Sequence, residues 1–220
     1  MPILALFSII ISTLFTCSQP VNNETYNENR PTKKDMLDLT KYERAYFASG
    51  CFWCVESVFE SVVGVQEVIS GYAGGTESSA KYKKVSTGVT DHAEAVEIYY
   101  DPKEIDYKTL LVIFFDSHDP TTANRQGPDY GRQYRSMILY RNEVEKQLAY
   151  EKIKEIENSG LYENKVVTEV VPFVAFYPAE DYHQDYKKRN PDNPYVQSVS
   201  IPRLKKFQEK HPELLKTKNH

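Results

Sequence analysis

Cysteine is scarce in this chain. Three thiols in 220 residues, Cys17, Cys51 and Cys54, are too few to staple a disulfide scaffold. Positive charge is not in excess either, because 27 Lys+Arg stand against 31 Asp+Glu and the basic residues are scattered. That balance gives no footprint for nucleic acid. The glycine run Gly71-Tyr72-Ala73-Gly74-Gly75 lacks dinucleotide-fingerprint spacing and precedes no clear helix, which makes a tight turn its expected role. No internal repeat is visible. The uncharged run Met1 to Thr16 falls short of the ~20 residues of a membrane span and has the length of a signal-peptide core.

Cys17 follows that run at once, in Leu14-Phe15-Thr16-Cys17, which resembles a bacterial lipoprotein cleavage box. Residues 1–17 are therefore expected to be a signal peptide ending in a lipidated Cys17. An ordinary signal peptide or an uncleaved anchor, or a misplaced start, are the other readings, since Thr16 is a less usual residue before the cysteine and no Lys or Arg precedes the run. Residues 18–43 are polar, with few large apolar side chains to offset ordering entropy, and read as a flexible linker. The implied location is the bacterial periplasm or cell envelope, with a lipid anchor holding the protein at the membrane.

What is present is concentrated in Gly50-Cys51-Phe52-Trp53-Cys54. Two cysteines one helical turn apart form a redox-capable pair, and the only tryptophan lies between them. Tyr46-Phe47-Ala48 belongs to a strand at 44–48, and Phe52, Val55, Phe59 and Val62 have helical spacing within 51–63. Cys51 should then sit at a strand-to-helix junction. There the helix N-terminus is expected to lower its pKa below the roughly 8.5 of a free thiol.

Strands are predicted at 65–72, 92–100, 135–140 and 166–172. Helices are predicted after Asp106, from Asn142 to Gly160, and within 201–216. The loop-like stretch 118–133 is long enough to carry function. The order fits an α+β fold, a two-layer sandwich with helices on a mixed, ferredoxin-like β-sheet. In His92-Ala93-Glu94-Ala95-Val96-Glu97-Ile98, alternation puts Glu94 on the face of Val96 and Ile98. A carboxyl buried there would stay protonated near neutral pH, the condition for a general acid, whereas at an exposed edge it would simply be solvated.

Five segments occur together and in order: Gly50-Cys51-Phe52-Trp53-Cys54-Val55-Glu56, Gly71-Tyr72-Ala73-Gly74-Gly75, His92-Ala93-Glu94-Ala95-Val96, Asp129-Tyr130-Gly131-Arg132-Gln133-Tyr134-Arg135-Ser136 and Ala179-Glu180-Asp181-Tyr182-His183-Gln184. The set resembles the A-type peptide methionine sulfoxide reductases, over roughly Arg44 to Gln197. The resemblance implies reduction of the S-epimer of methionine sulfoxide, free or in oxidised proteins, by a domain at 44–200, with a helical tail at 201–220.

It also implies Cys51 as nucleophile, Glu94 as the acid that protonates the sulfoxide oxygen, and Phe52 and Trp53 as the pocket for the substrate methyl. Tyr82 and Tyr134 would hydrogen-bond the oxygen, with Asp129 in support. The segment 190–220 contains no cysteine, so the chain resembles the C-x-x-C subgroup in which Cys54 resolves a Cys51 sulfenic acid to a disulfide. An external thioredoxin-like dithiol would reduce that bond. No prosthetic group, metal or nucleic acid is implied, and a monomer is the default. Three other readings compete: a thioredoxin-like disulfide oxidoreductase, half of a structural zinc site, and a binding module that keeps the fold without the activity.

Overall fold

The computed structural model describes residues 38–217, so Cys17, the expected leader and most of the linker lie outside the described residues. In chain order the elements are β1 (Glu43–Ser49), α1 (Phe52–Glu60), β2 (Val65–Ala73), α2 (Tyr82–Val85), β3 (Ala93–Tyr100) and α3 (Tyr107–Asp116). A two-residue ribbon follows, β4 (Arg125–Gln126) and β5 (Asp129–Tyr130), then β6 (Ser136–Tyr140) and α4 (Glu143–Ser159). The chain ends through β7 (Glu169–Pro172), β8 (Phe176–Pro178), α5 (Tyr186–Arg189), a π-helical turn Val196–Ser200 and α6 (Ile201–Lys210).

The main sheet has the order β7-β6-β1-β3-β2-β8. Its four inner strands pair antiparallel, and with their connecting helices they make the β-α-β-β-α-β arrangement of a ferredoxin-like sheet. β7 extends one edge in parallel and β8 extends the other antiparallel, so the sheet is mixed, as the α+β reading requires. The cap residues act as the sequence predicts. Asp106 accepts the Thr109 N–H at 2.8 Å, Asn142 accepts the Glu145 N–H at 2.9 Å, and Gly160 ends α4 at φ +70°.

Alternation along the strands separates two apolar faces. On one, Phe47, Tyr72, Val96 and Ile98 meet Phe52, Val55 and Phe59 of α1, Leu110 and Phe114 of α3, and Leu204 and Phe207 of α6. The other face is shallower. Tyr46, Ala48, Ala93, Ala95 and Met137 lie under Phe173 and Phe176, with Tyr46 and Phe173 stacked at 4.0 Å.

Gly71 does not form the tight turn expected of the glycine run. It lies inside β2, where an added Cβ would fall 2.3 Å from the Phe176 ring and 2.5 Å from the Tyr177 carbonyl oxygen. It is small because β8 and its aromatic side chains press on it, and the turn itself is made by Gly74 at φ +89°.

Candidate active site

The junction between β1 and α1 is built around Gly50. Its φ of +88° turns the chain, and a Cβ there would meet the Gln126 side chain at 2.6 Å, so the 118–133 loop can lie directly over the end of β1. Cys51 follows as the N-cap of α1. β3 runs beside β1 with Phe47 opposite Val96, and that register continued two residues sets Ser49 level with Glu94. Glu94 thus arrives beneath the first turn of α1, and its Oε2 accepts the Phe52 N–H at 3.0 Å.

A cavity of about 300 Å³ opens at this point, lined by Cys51, Phe52, Trp53, Tyr82, Glu94, Asp129, Tyr134, Asn193 and Tyr195. Cys54 lies behind it, 1% exposed, with Sγ 3.1 Å from the Ser200 hydroxyl. The structure therefore gathers seven of the residues singled out in the sequence around one space, and places Cys54 just off it.

Glu94 is buried on a central strand, which removes the solvated-edge reading. Burial pushes its carboxyl up to about 8 and the charge of Asp129 adds to this, although the Phe52 N–H favours the ionised form. The thiols depart from expectation. The Cys51 thiol is raised well above its ordinary value, first by burial and then by the neighbouring Cys54 and Glu94. The lowering expected of the helix N-terminus is not seen, and the first N–H of α1 is given to Glu94. The Cys54 thiol moves the other way, down to about 6: its interaction with the neighbouring Cys51 lowers it most, and Arg203 and Ser200 add to that against the cost of burial.

Trp53 is fixed on three sides. Its indole N–H donates to His183 Nδ1 at 3.1 Å, its ring stacks on Tyr186 at 3.7 Å, and the Tyr195 ring meets it edge-on at 6.0 Å. Burial holds His183 down at about 4, so it stays neutral and accepts that bond. Glu180 receives the Tyr72 hydroxyl at 2.8 Å and the Tyr82 N–H at 3.1 Å, which anchors the segment bearing Tyr82 beside the cavity. The Tyr195 hydroxyl donates to Asp129 Oδ2, tying the C-terminal segment to the 118–133 loop. Tyr195, Asn193, Ser200 and Arg203 are site residues that the sequence reading missed. A clue lay in Asn193-Pro194-Tyr195, an aromatic in a turn-rich stretch, but no spacing ties it to Cys51.

Comparison with known proteins gives this geometry its family. The family model for peptide methionine sulfoxide reductase matches residues 43–215. Peptide methionine sulfoxide reductase MsrA 2 of Synechocystis is 51% identical over 178 residues, covering 80% of this chain and 83% of that protein. MsrA of Nautilia profundicola is 52% identical over 164 residues, covering 74% and 93%. Among solved structures, Mxr1 of Saccharomyces cerevisiae in reduced form superposes with a TM-score of 0.63 at 36% identity, covering 70% of this chain and 88% of that one. Methionine sulfoxide reductase A of Corynebacterium diphtheriae gives 0.60 at 32% identity, covering 69% and 76%. With a model matched from β1 through the end of α6 and half the aligned residues shared with such relatives, this chain belongs to the peptide methionine sulfoxide reductase family.

Proposed function

We propose that this protein reduces the S-epimer of methionine sulfoxide to methionine, using Cys51 as nucleophile, Glu94 as acid and Cys54 as resolving thiol. The observation that carries the reading is the meeting of Cys51 and the buried Glu94 carboxyl, raised by burial to about 8, at one helix N-terminus and inside an aromatic cavity. A sulfoxide resists attack at sulfur until its oxygen is protonated or strongly hydrogen-bonded. Glu94 supplies the proton, while Tyr82 and Tyr134 supply phenol donors beside it. Phe52 and Trp53 take the methyl group. With the methyl and the oxygen both fixed, one epimer presents its sulfur to Cys51.

Cys51 attacks sulfur as its proton passes to the Cys54 thiolate, and Glu94 gives its proton to the sulfoxide oxygen. The hydroxyl then passes from the substrate sulfur to the Cys51 sulfur as the bond between the two sulfurs breaks, which releases methionine and leaves Cys51 as a sulfenic acid. Cys54 then attacks the Cys51 sulfur, the S–O bond breaks, and the hydroxide departs with the Cys54 proton as water. Glu94 is recharged from solvent. An external thioredoxin-like dithiol reduces the disulfide and starts the next turn.

Export and a lipid anchor on Cys17 belong to the same proposal, and so does operation as a monomer. The mass of the mature N-terminus tests the anchor. The function is tested with purified protein, excess dithiothreitol and the separate epimers of a methionine sulfoxide peptide. Turnover of the S-epimer alone, lost in Cys51→Ser, is expected, and turnover of neither epimer by folded, reduced protein would overturn the reading.

A further inference from the structure

The two sulfurs of the pair are not equivalent. Cys51 lines the cavity, while Cys54 faces away from it toward the C-terminal segment. Ser200, 0% exposed, closes the π-helical turn just ahead of α6 and puts its hydroxyl against Cys54 Sγ. Such turns are rare and gather at functional sites.

Three residues on, the Arg203 guanidinium is held rigidly. Its Nε donates to Ser117 O at 2.6 Å, one Nη to Ser49 O at 2.9 Å and the other to Ser49 Oγ at 3.0 Å. All three acceptors are neutral, so the positive charge is directed to its surroundings, where Cys54 and Asp129 feel it. Tyr195 and Cys51 complete the polar surroundings of Cys54, and Glu94 is the remaining acid whose charge interacts with it.

We propose that Ser200 and Arg203 form a receiving site for a Cys54 thiolate, so that an external dithiol opens the Cys51–Cys54 disulfide by attacking Cys51 and expelling Cys54. The inference rests on the disulfide cycle above. A thiolate of the reductant bonds to Cys51 Sγ, the Cys51–Cys54 bond breaks, and its electron pair goes to Cys54 Sγ, where the hydroxyl and guanidinium hold the charge. The second thiol of the reductant then attacks the mixed disulfide, leaving with an oxidised dithiol and freeing Cys51. Thiol–disulfide exchange is faster when the more acidic thiol leaves and the accessible sulfur is attacked, and here those are different atoms. Attack at Cys54 would require entry behind the cavity and would put the charge on the thiol that burial disfavours.

The test needs no sulfoxide. Full-length protein oxidised with diamide is mixed with glutathione, quenched with N-ethylmaleimide and read by tandem mass spectrometry. Glutathione on Cys51 with maleimide on Cys54 is expected, and the reverse pattern would overturn the proposal. In a Cys51→Ser background, the ultraviolet absorbance of the Cys54 thiolate is then followed against pH. Arg203→Met is expected to move the midpoint of the titration up by about one pKa unit, a 10-fold change in the thiol–thiolate equilibrium constant. Arg203→Lys should recover part of it, and Ser200→Ala should shift the titration the same way by less. An unmoved titration in variants that melt like the parent would reduce Ser200 and Arg203 to packing. If trapping runs as expected but no sulfoxide is turned over, the functional reading falls and this one stands.

Discussion

Glu94 has opposite effects on stability and on chemistry. Its carboxyl is near 4.5 in an unfolded chain and about 8 in the fold, so between those pH values the native state binds more protons than the unfolded state. Stability is therefore lost as pH rises through that window, and the full penalty is present above about 8. Glu94→Gln keeps the acceptor for the Phe52 N–H and removes the titration. It should gain stability, on the order of 5 kcal/mol above pH 8, with the gain closing below pH 4.5. Urea unfolding at three pH values checks the sign. The same variant can no longer transfer a proton, and S-epimer turnover should fall about 10²- to 10⁴-fold.

The thiols make a second prediction at this scale. If Cys54 only resolved a sulfenic acid, Cys54→Ser would leave the first release of methionine untouched. In the proposed mechanism Cys54 also takes the Cys51 proton, so the first turnover should slow at pH 6.5 by about 10-fold or more. In the wild type kcat/KM should rise near pH 6 and fall near pH 8, where Glu94 ionises. Single-turnover methionine release across pH settles both points. An unchanged first turnover would confine Cys54 to resolution.

At the scale of elements, the strands with continuous alternation and the helices with side-chain caps were legible in the sequence. The β3 pattern put Glu94 and Val96 on one face and Ala93 and Ala95 on the other, which is how the structure divides them. The short pieces were not legible. β8 is three residues ending in Pro178, the β4–β5 ribbon has two residues a side, and α2 and α5 are single turns, so none has a period to detect. Tertiary packing makes them. The expected strand at 166–172 begins only at Glu169, where pairing with Met137 of β6 starts.

Gly71 shows how much such a short element depends on its neighbour, because β8 can pair with β2 only while position 71 has no side chain. Gly71→Ala should cost roughly 1–3 kcal/mol by overpacking. It should also displace the 176–184 segment and so loosen Glu180 and His183, raising KM for the sulfoxide. A thermal melt and steady-state kinetics on one preparation check both effects.

For the whole molecule, the site is assembled from parts far apart in sequence: β1 and α1, the start of β3, the 118–133 loop and the C-terminal segment. Sequence motifs found the first three. The fourth escaped because Tyr195, Ser200 and Arg203 act through three-dimensional closure, Tyr195 bonding Asp129 and Arg203 bonding Ser49 and Ser117. α6 also buries Leu204 and Phe207 in the main core, and Asp116 of α3 holds both Lys210 and His211 at 2.8 Å.

An element that contributes core and site together should not detach before the rest unfolds. Trp53, the sole tryptophan, reports on this because its ring packs against Tyr186 and Tyr195 from the C-terminal side. Its fluorescence and the far-ultraviolet circular dichroism should therefore fall in one coincident urea transition. Phe207→Ala should move both together to lower urea, by about 3–5 kcal/mol. A fluorescence change that precedes the loss of secondary structure would mean that the segment after residue 190 opens on its own. The reductant would then reach Cys54 through that opening instead of Cys51 through the cavity.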